Sequence, residues 1–123
     1  MKFEITSIAD AGDLQKERVV IKAKEGDDIG SYALFRTTKA DETSVHAGSL
    51  PNVYWFDDRK MKTGDYAVLY TKAGTASEKT SDGGSTSYFF YWDLDQPIWD
   101  DPDNQPVLAH IDTWQVFRSK KKK

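Results

Sequence analysis

Side chains able to carry out chemistry are few and scattered. The chain holds two histidines, His46 and His110, and no cysteine, which excludes thiolate nucleophiles, disulfides and thiolate metal sites. His110-Ile-Asp112 sets an imidazole and a carboxylate two residues apart, on one face of a strand. That spacing suits a base and its orienting acid, yet catalysis needs a third partner that the sequence does not supply. A hydrogen-bonded surface pair explains the same two residues. The serines offer no strained nucleophile elbow, because Gly83-Gly-Ser-Thr-Ser87 sits in a loop with nothing to hold it. Phosphate loops are missing, and Lys62-Thr-Gly-Asp65 reads as a turn before a strand. Two isolated histidines make a poor transition-metal site. The expectation is a protein that is not an enzyme and uses no cofactor and no metal.

The one concentrated group of oxygen ligands is Asp93, Asp95, Asp100, Asp101 and Asp103. Calcium takes six to eight oxygens, and a calcium loop starting at Asp93 would need a ligand at position 5 and glycine at position 6. Pro97 and Ile98 stand there, and Asn104 replaces the closing glutamate. Solvated turn carboxylates are the competing account of the run. A carboxylate pair for glycoside hydrolysis has nothing here to fix its separation.

Directly before this acidic run stand five consecutive aromatics, Tyr88 to Trp92. A strand turns alternate side chains to opposite faces, so Tyr88, Phe90 and Trp92 share one side while Phe89 and Tyr91 share the other. Two readings follow. Either Tyr88, Phe90 and Trp92 pack as core beneath the Pro97–Trp99 segment, or they form an exposed aromatic strip with an acidic rim. The second assigns partner binding to Tyr88, Phe90, Trp92, Asp93, Asp95, Trp99, Asp100 and Asp101, since interfaces pair aromatic contact area with peripheral charge. Trp55 is a candidate central core residue, and Trp99, Trp114 and Phe117 are candidates to close the ends of the fold.

The elements that must position these residues read as strands. Phe3, Ile5 and Ile8 open the chain, and Val19, Ile21 and Ala23 alternate against Arg18, Lys22 and Lys24. Tyr32–Phe35, a weaker Ser44–His46, Val53–Phe56, Tyr66–Lys72, Val107–Ile111 and Trp114–Phe117 follow, separated by Gly, Asp, Asn and Pro clusters. No window sustains helical periodicity, and residues 11–17 have room for one turn at most. This pattern predicts an all-β, immunoglobulin-like antiparallel β-sandwich. Ile5, Val19, Ile21, Leu34, Val68, Tyr70, Phe89 and Leu108 are its expected core. Residues 73–87 contain no large apolar side chain and are expected to form a flexible hairpin loop.

At 123 residues with 38% hydrophobic content, the chain fits one folded domain, expected over 1–118 with a disordered basic tail at 119–123. Formal charge is −3, but setting aside Lys120 to Lys123 leaves 13 basic against 20 acidic residues, a body of −7. Such a body repels phosphate backbones, which makes nucleic acid an unexpected partner. The opening Met1-Lys-Phe-Glu-Ile-Thr6 lacks the apolar core of a secretion signal, and no stretch reaches membrane-spanning length. A cytoplasmic protein with no membrane association is the expectation.

Four segments resemble the lamin-tail domain, a small immunoglobulin-like sandwich. Asp13-Leu-Gln-Lys-Glu-Arg-Val-Val-Ile-Lys22 is similar to the family's early strand, and Asp28-Ile-Gly-Ser-Tyr-Ala-Leu34 to its next turn and strand, with Tyr32 at the usual Trp. Met61-Lys-Thr-Gly-Asp-Tyr-Ala-Val-Leu-Tyr70 resembles the Pro-Gly turn and core strand, with Thr63 in place of Pro. Val107-Leu-Ala-His-Ile-Asp112 resembles the closing strand. Ala23-Lys24 replaces the family's Asn, and the aromatic strand lies outside the pattern. The resemblance implies a non-catalytic module that binds something, often another protein and sometimes nucleic acid. With an acidic body the expected partner is a protein, either a different one or a second copy of this chain. The alternative is a ligand- or carbohydrate-binding sandwich using Trp92, Trp99 and Tyr54, with calcium at residues 93–103. An enzyme built on His110 is a third reading.

Overall fold

Apolar residues on neighbouring strands meet in register across most of the larger sheet. The computed structural model describes residues 1–45 and 50–120. It contains ten strands: β1 Phe3–Ala9, β2 Arg18–Ala23, β3 Asp27–Asp28, β4 Tyr32–Thr38, β5 Asn52–Trp55, β6 Lys60–Met61, β7 Tyr66–Tyr70, β8 Ser77–Thr80, β9 Thr86–Tyr91 and β10 Asn104–His110. They form a five-stranded sheet in the order β1-β2-β7-β9-β8, a three-stranded sheet β10-β4-β5 and a two-stranded ribbon β3-β6. The fold is an all-β sandwich. One neighbouring pair, β7 and β9, runs parallel, and every other pair is antiparallel.

The odd spacing of Phe3, Ile5 and Ile8 has a direct cause. A bulge between Ile5 and Ser7 inserts Thr6, so Phe3, Ile5 and Ile8 stand opposite Ala23, Ile21 and Val19 respectively. Directly opposed residues share a face, and this face is the core at Phe3 and Ile5, while Ile8 at its rim is exposed. Val19 and Ile21 in turn oppose Leu69 and Ala67 on β7. Ala67 and Leu69 then lie beside Tyr88 and Phe90 of β9. Across the gap, Tyr32 and Leu34 of β4 complete the buried cluster with Phe56, Met61 and Trp99.

That register corrects part of the expected core. Val19, Ile21 and Leu34 are fully buried, with Ile5 and Leu108 packed against them. Val68, Tyr70 and Phe89 lie on the opposite, outer face, because Val68 opposes Val20 and Tyr70 opposes Arg18, and Phe89 lies beside Val68. Val68 is still buried there beneath its neighbours. An unbroken run of aromatics contains no alternation to reveal its inner side. The side is chosen by the pairing with Ala67 and Leu69.

Other differences are local. Residues 73–87 hold the expected hairpin, and it is regularly paired: β8 runs against the start of β9, Thr80 opposite Thr86. Trp114–Phe117 forms no strand, and Trp114 and Phe117 are 63% and 87% exposed. Neither closes an end of the sandwich. The one turn expected near residues 11–17 is present, held by bonds from the Lys16 and Glu17 amides to the Asp13 carbonyl. Val45 bridges Lys39, while His46 and Lys121 to Lys123 lie outside the described residues.

Candidate functional site

The segment between residues 88 and 103 is held against the larger sheet, and one buried carboxylate explains how. Glu17 is fully buried, and four donors converge on it: the Gly12 amide at 2.9 Å, the Ile98 amide at 3.0 Å, the Trp99 amide at 3.1 Å and the Thr71 hydroxyl at 2.5 Å. Charge-assisted bonds of this kind are roughly twice as strong as neutral ones. Together they pull the segment after β9 back over the sheet and press Trp99 into the core, 5% exposed and 6.3 Å from Trp92. Phe90 is likewise buried, and Tyr88 and Trp92 pack against the same cluster. Of the residues assigned to the strip, only Asp93, Asp95, Asp100 and Asp101 face solvent. Of the two readings of the aromatic run, the packing one describes these side chains: Phe90 and Trp99 are buried, with Tyr88 and Trp92 partly buried against the core. Of the trio weighed for sugar binding, Trp99 is buried, while Tyr54 packs 5.9 Å from Trp92 and both are half-buried. Among the described residues no three His, Asp or Glu side chains gather to hold a metal ion.

The outer face of the five-stranded sheet is aromatic but already covered. Tyr70 and Tyr91 stack at 5.3 Å, with Arg18 and Lys72 over the Tyr70 ring at 5.8 and 5.2 Å. The 73–76 loop lies so close that a β-carbon on Gly74 would stand 2.4 Å from the Tyr91 ring.

The uncovered surface is on the other sheet. β5 is an edge strand, paired only with β4 among the described residues. The Phe56 amide donates to the Tyr32 carbonyl, and Tyr54 opposes Leu34 in the same register. In an antiparallel pair alternate residues exchange both bonds, so Tyr54 and Phe56 point their backbone groups at β4. The N–H and C=O groups of Val53 and Trp55 face the open edge. Their side chains are exposed too, at 49% and 45%.

At the end of this edge lies an open cleft of about 300 Å³ lined by Gly30, Trp55, Asp57, Asp58, Asp112 and Trp114, among others. Local sequence explains its rigidity. Asp28 caps the 3-10 turn Ile29–Ser31 and accepts from the Gly30 and Arg59 amides, each at 2.8 Å. Those bonds tie the turn to residues 57–60. Gly30 is required here, because a β-carbon on it would stand 2.0 Å from Asp58 Oδ1 and 2.7 Å from the Asp58 Cα. The Trp55 indole N–H donates to the Gly30 carbonyl at 2.9 Å, which fixes the ring. Trp114 meets it edge to face, centroids 5.1 Å apart and planes at 89°. Asp57 also acts on the interior: burial first, then its charge, raises the Tyr54 phenol above the ordinary tyrosine value.

His110 stacks on Tyr32 at 4.6 Å, and no hydrogen bond joins it to Asp112, which instead lines the cleft. The sequence reading missed Val53, Trp55, Asp57, Asp58, Asp112 and Trp114 as a group. The available signal was Trp55-Phe-Asp-Asp58, an aromatic pair running straight into an acidic pair. No protein-family model and no curated protein sequence matches this chain. No helix among the described residues is long and apolar enough to cross a membrane.

Proposed function

We propose that this protein is a non-catalytic interaction module that accepts an extended segment of another protein as an added strand on the open edge of β5. The observation that carries this reading is a contrast between edges. Proteins blunt exposed strand edges with charge, proline or bulges, because an unprotected edge is a template for another chain. β1 has its bulge at Thr6, β10 carries Pro106, and β8 is Ser77-Glu-Lys-Thr80, exposed throughout. β5, Asn52-Val-Tyr-Trp55, has none of these devices and displays two large apolar side chains. Strand addition uses backbone bonds for affinity and alternate side chains for selectivity, and Val53 and Trp55 offer both.

The acidic body favours a basic partner. The resemblance to lamin-tail domains supports the same class of function, and membership of that family remains part of the proposal. So does a cytoplasmic location, with which a cysteine-free chain is compatible.

The test is titration with a blocked Thr-Val-Thr-Val-Thr peptide flanked at both ends by arginine. Binding is expected to shift the β5 amide resonances. Val53→Pro removes the N–H that faces the open edge and leaves the bonds to β4 in place, so it should abolish binding while the fold persists. Equal binding by the folded Val53→Pro protein would sink the reading.

A further inference from the structure

We infer that the cleft at the end of β5 takes the side-chain cation of the docked segment, a guanidinium or alkylammonium group. This inference rests on the reading of β5 as a receiving edge and adds the chemistry that the site selects. Three features of the cleft point to an organic cation. First, its aromatic walls stand at a right angle, Trp55 against Trp114, and both indoles are open to solvent, 45% and 63% exposed. Tryptophan is the strongest cation–π partner, and aromatic corners of this kind recognise ammonium groups. Second, Asp57, Asp58 and Asp112 line the same cleft, and none of them forms an ion pair among the described residues. The nearest arginine in sequence, Arg59, turns away to Glu78 at 3.5 Å and to the Tyr88 ring. Third, a cleft of about 300 Å³ matches the low end of small-ligand sites. A delocalised guanidinium spreads its charge over several donors and stacks on an aromatic face, which suits carboxylates arranged around a ring corner.

The corner is also prepared in advance. Trp55 is fixed by its bond to Gly30, and the Asp58 backbone is locked over Gly30 with no room for a side chain between them. A docked segment on β5 would run directly past this corner, because Trp55 is the last residue of the strand. A free cation of the same chemistry would meet the same walls, so the experiment separates the two sources.

The full-length protein is titrated with the arginine-flanked peptide and with its twin in which both arginines are replaced by citrulline, the neutral isostere. Arginine methyl ester alone is the third probe. Tryptophan fluorescence and the β5 amide resonances are read together. The arginine peptide should bind about 3- to 30-fold more tightly than the citrulline peptide. Trp114→Ala, on a segment outside both sheets, and the double variant Asp57→Asn/Asp58→Asn should each remove that preference while leaving citrulline-peptide binding unchanged. Added salt should weaken the arginine peptide selectively. Equal binding of the two peptides, with β5 amides still shifted, overturns the cation site and leaves the edge reading standing. Failure of both peptides to shift the β5 amides overturns both. Arginine methyl ester binding as tightly as the arginine peptide overturns the protein segment as the source of the cation.

Discussion

Removing the Glu17 carboxylate should cost more stability than any surface change of similar size. In Glu17→Ala, the Gly12, Ile98 and Trp99 amides and the Thr71 hydroxyl all lose their acceptor, in a site with no solvent access at the side chain. A stranded buried donor costs roughly 1–3 kcal/mol. The Thr71 hydroxyl can rotate and water can enter the vacated space, so the sum settles at the lower end, about 4 kcal/mol. Domains of this size lose roughly 4 °C of Tm per kcal/mol, giving a fall of about 15 °C. Glu17→Gln retains the shape and one acceptor oxygen but turns an NH2 towards donors, and should cost about 2 kcal/mol. Urea denaturation monitored by tryptophan fluorescence measures both, with an unchanged m-value expected if unfolding remains two-state. If Glu17→Ala unfolds within about 1 kcal/mol of wild type, the carboxylate does not hold the 94–100 segment, and the explanation of why Trp99 is buried fails.

Two further outcomes follow from the register and the tyrosines. Phe90→Ala, in the core, should cost about 3–5 kcal/mol, while Phe89→Ala on the outer face should cost clearly less, and chemical denaturation of the two side by side decides the inward face of β9. Tyr32, Tyr54 and Tyr88 all have phenols raised mainly by burial, with Asp27, Asp57 and Asp65 respectively the leading nearby charges. A raised phenol favours the folded state fully below the unfolded value, near pH 10, and that contribution is lost as pH rises through the folded value. Absorbance at 295 nm should therefore show late ionisation of Tyr32, Tyr54 and Tyr88 coinciding with alkaline unfolding, and free titration of these three near pH 10 in a folded protein would contradict the burial.

Strands with polar–apolar alternation were legible from residue types alone. Arg18–Ala23 shows its buried face in every second residue, and Leu34 fell inside as expected, with Leu108 partly buried against the core. The aromatic run was not legible. Tyr88 through Trp92 are apolar on both sides, so their orientation depends on pairing with Ala67 and Leu69, a contact some twenty residues distant in sequence. The same limit hid the candidate site. Val53-Tyr-Trp-Phe56 is also apolar throughout, and Trp55 reads as core until the order β10-β4-β5 leaves its strand on an edge. The reason for Trp99 burial was equally hidden, because Glu17 and Ile98 meet only in the folded chain. Charged residues carry no sequence mark that distinguishes a buried acceptor such as Glu17 from the solvated Glu4 or Glu25.

The most direct test of the central claim is amide hydrogen exchange on β5, residue by residue, in the free protein and with the arginine-flanked peptide at saturation. The Tyr54 and Phe56 amides are already bonded to β4, whereas those of Val53 and Trp55 face the open edge. An added strand should slow Val53 and Trp55 by at least about tenfold and leave Tyr54 and Phe56 near their free rates. Exchange that stays unchanged at Val53 and Trp55, or slows evenly along all four residues, would contradict strand addition at this edge.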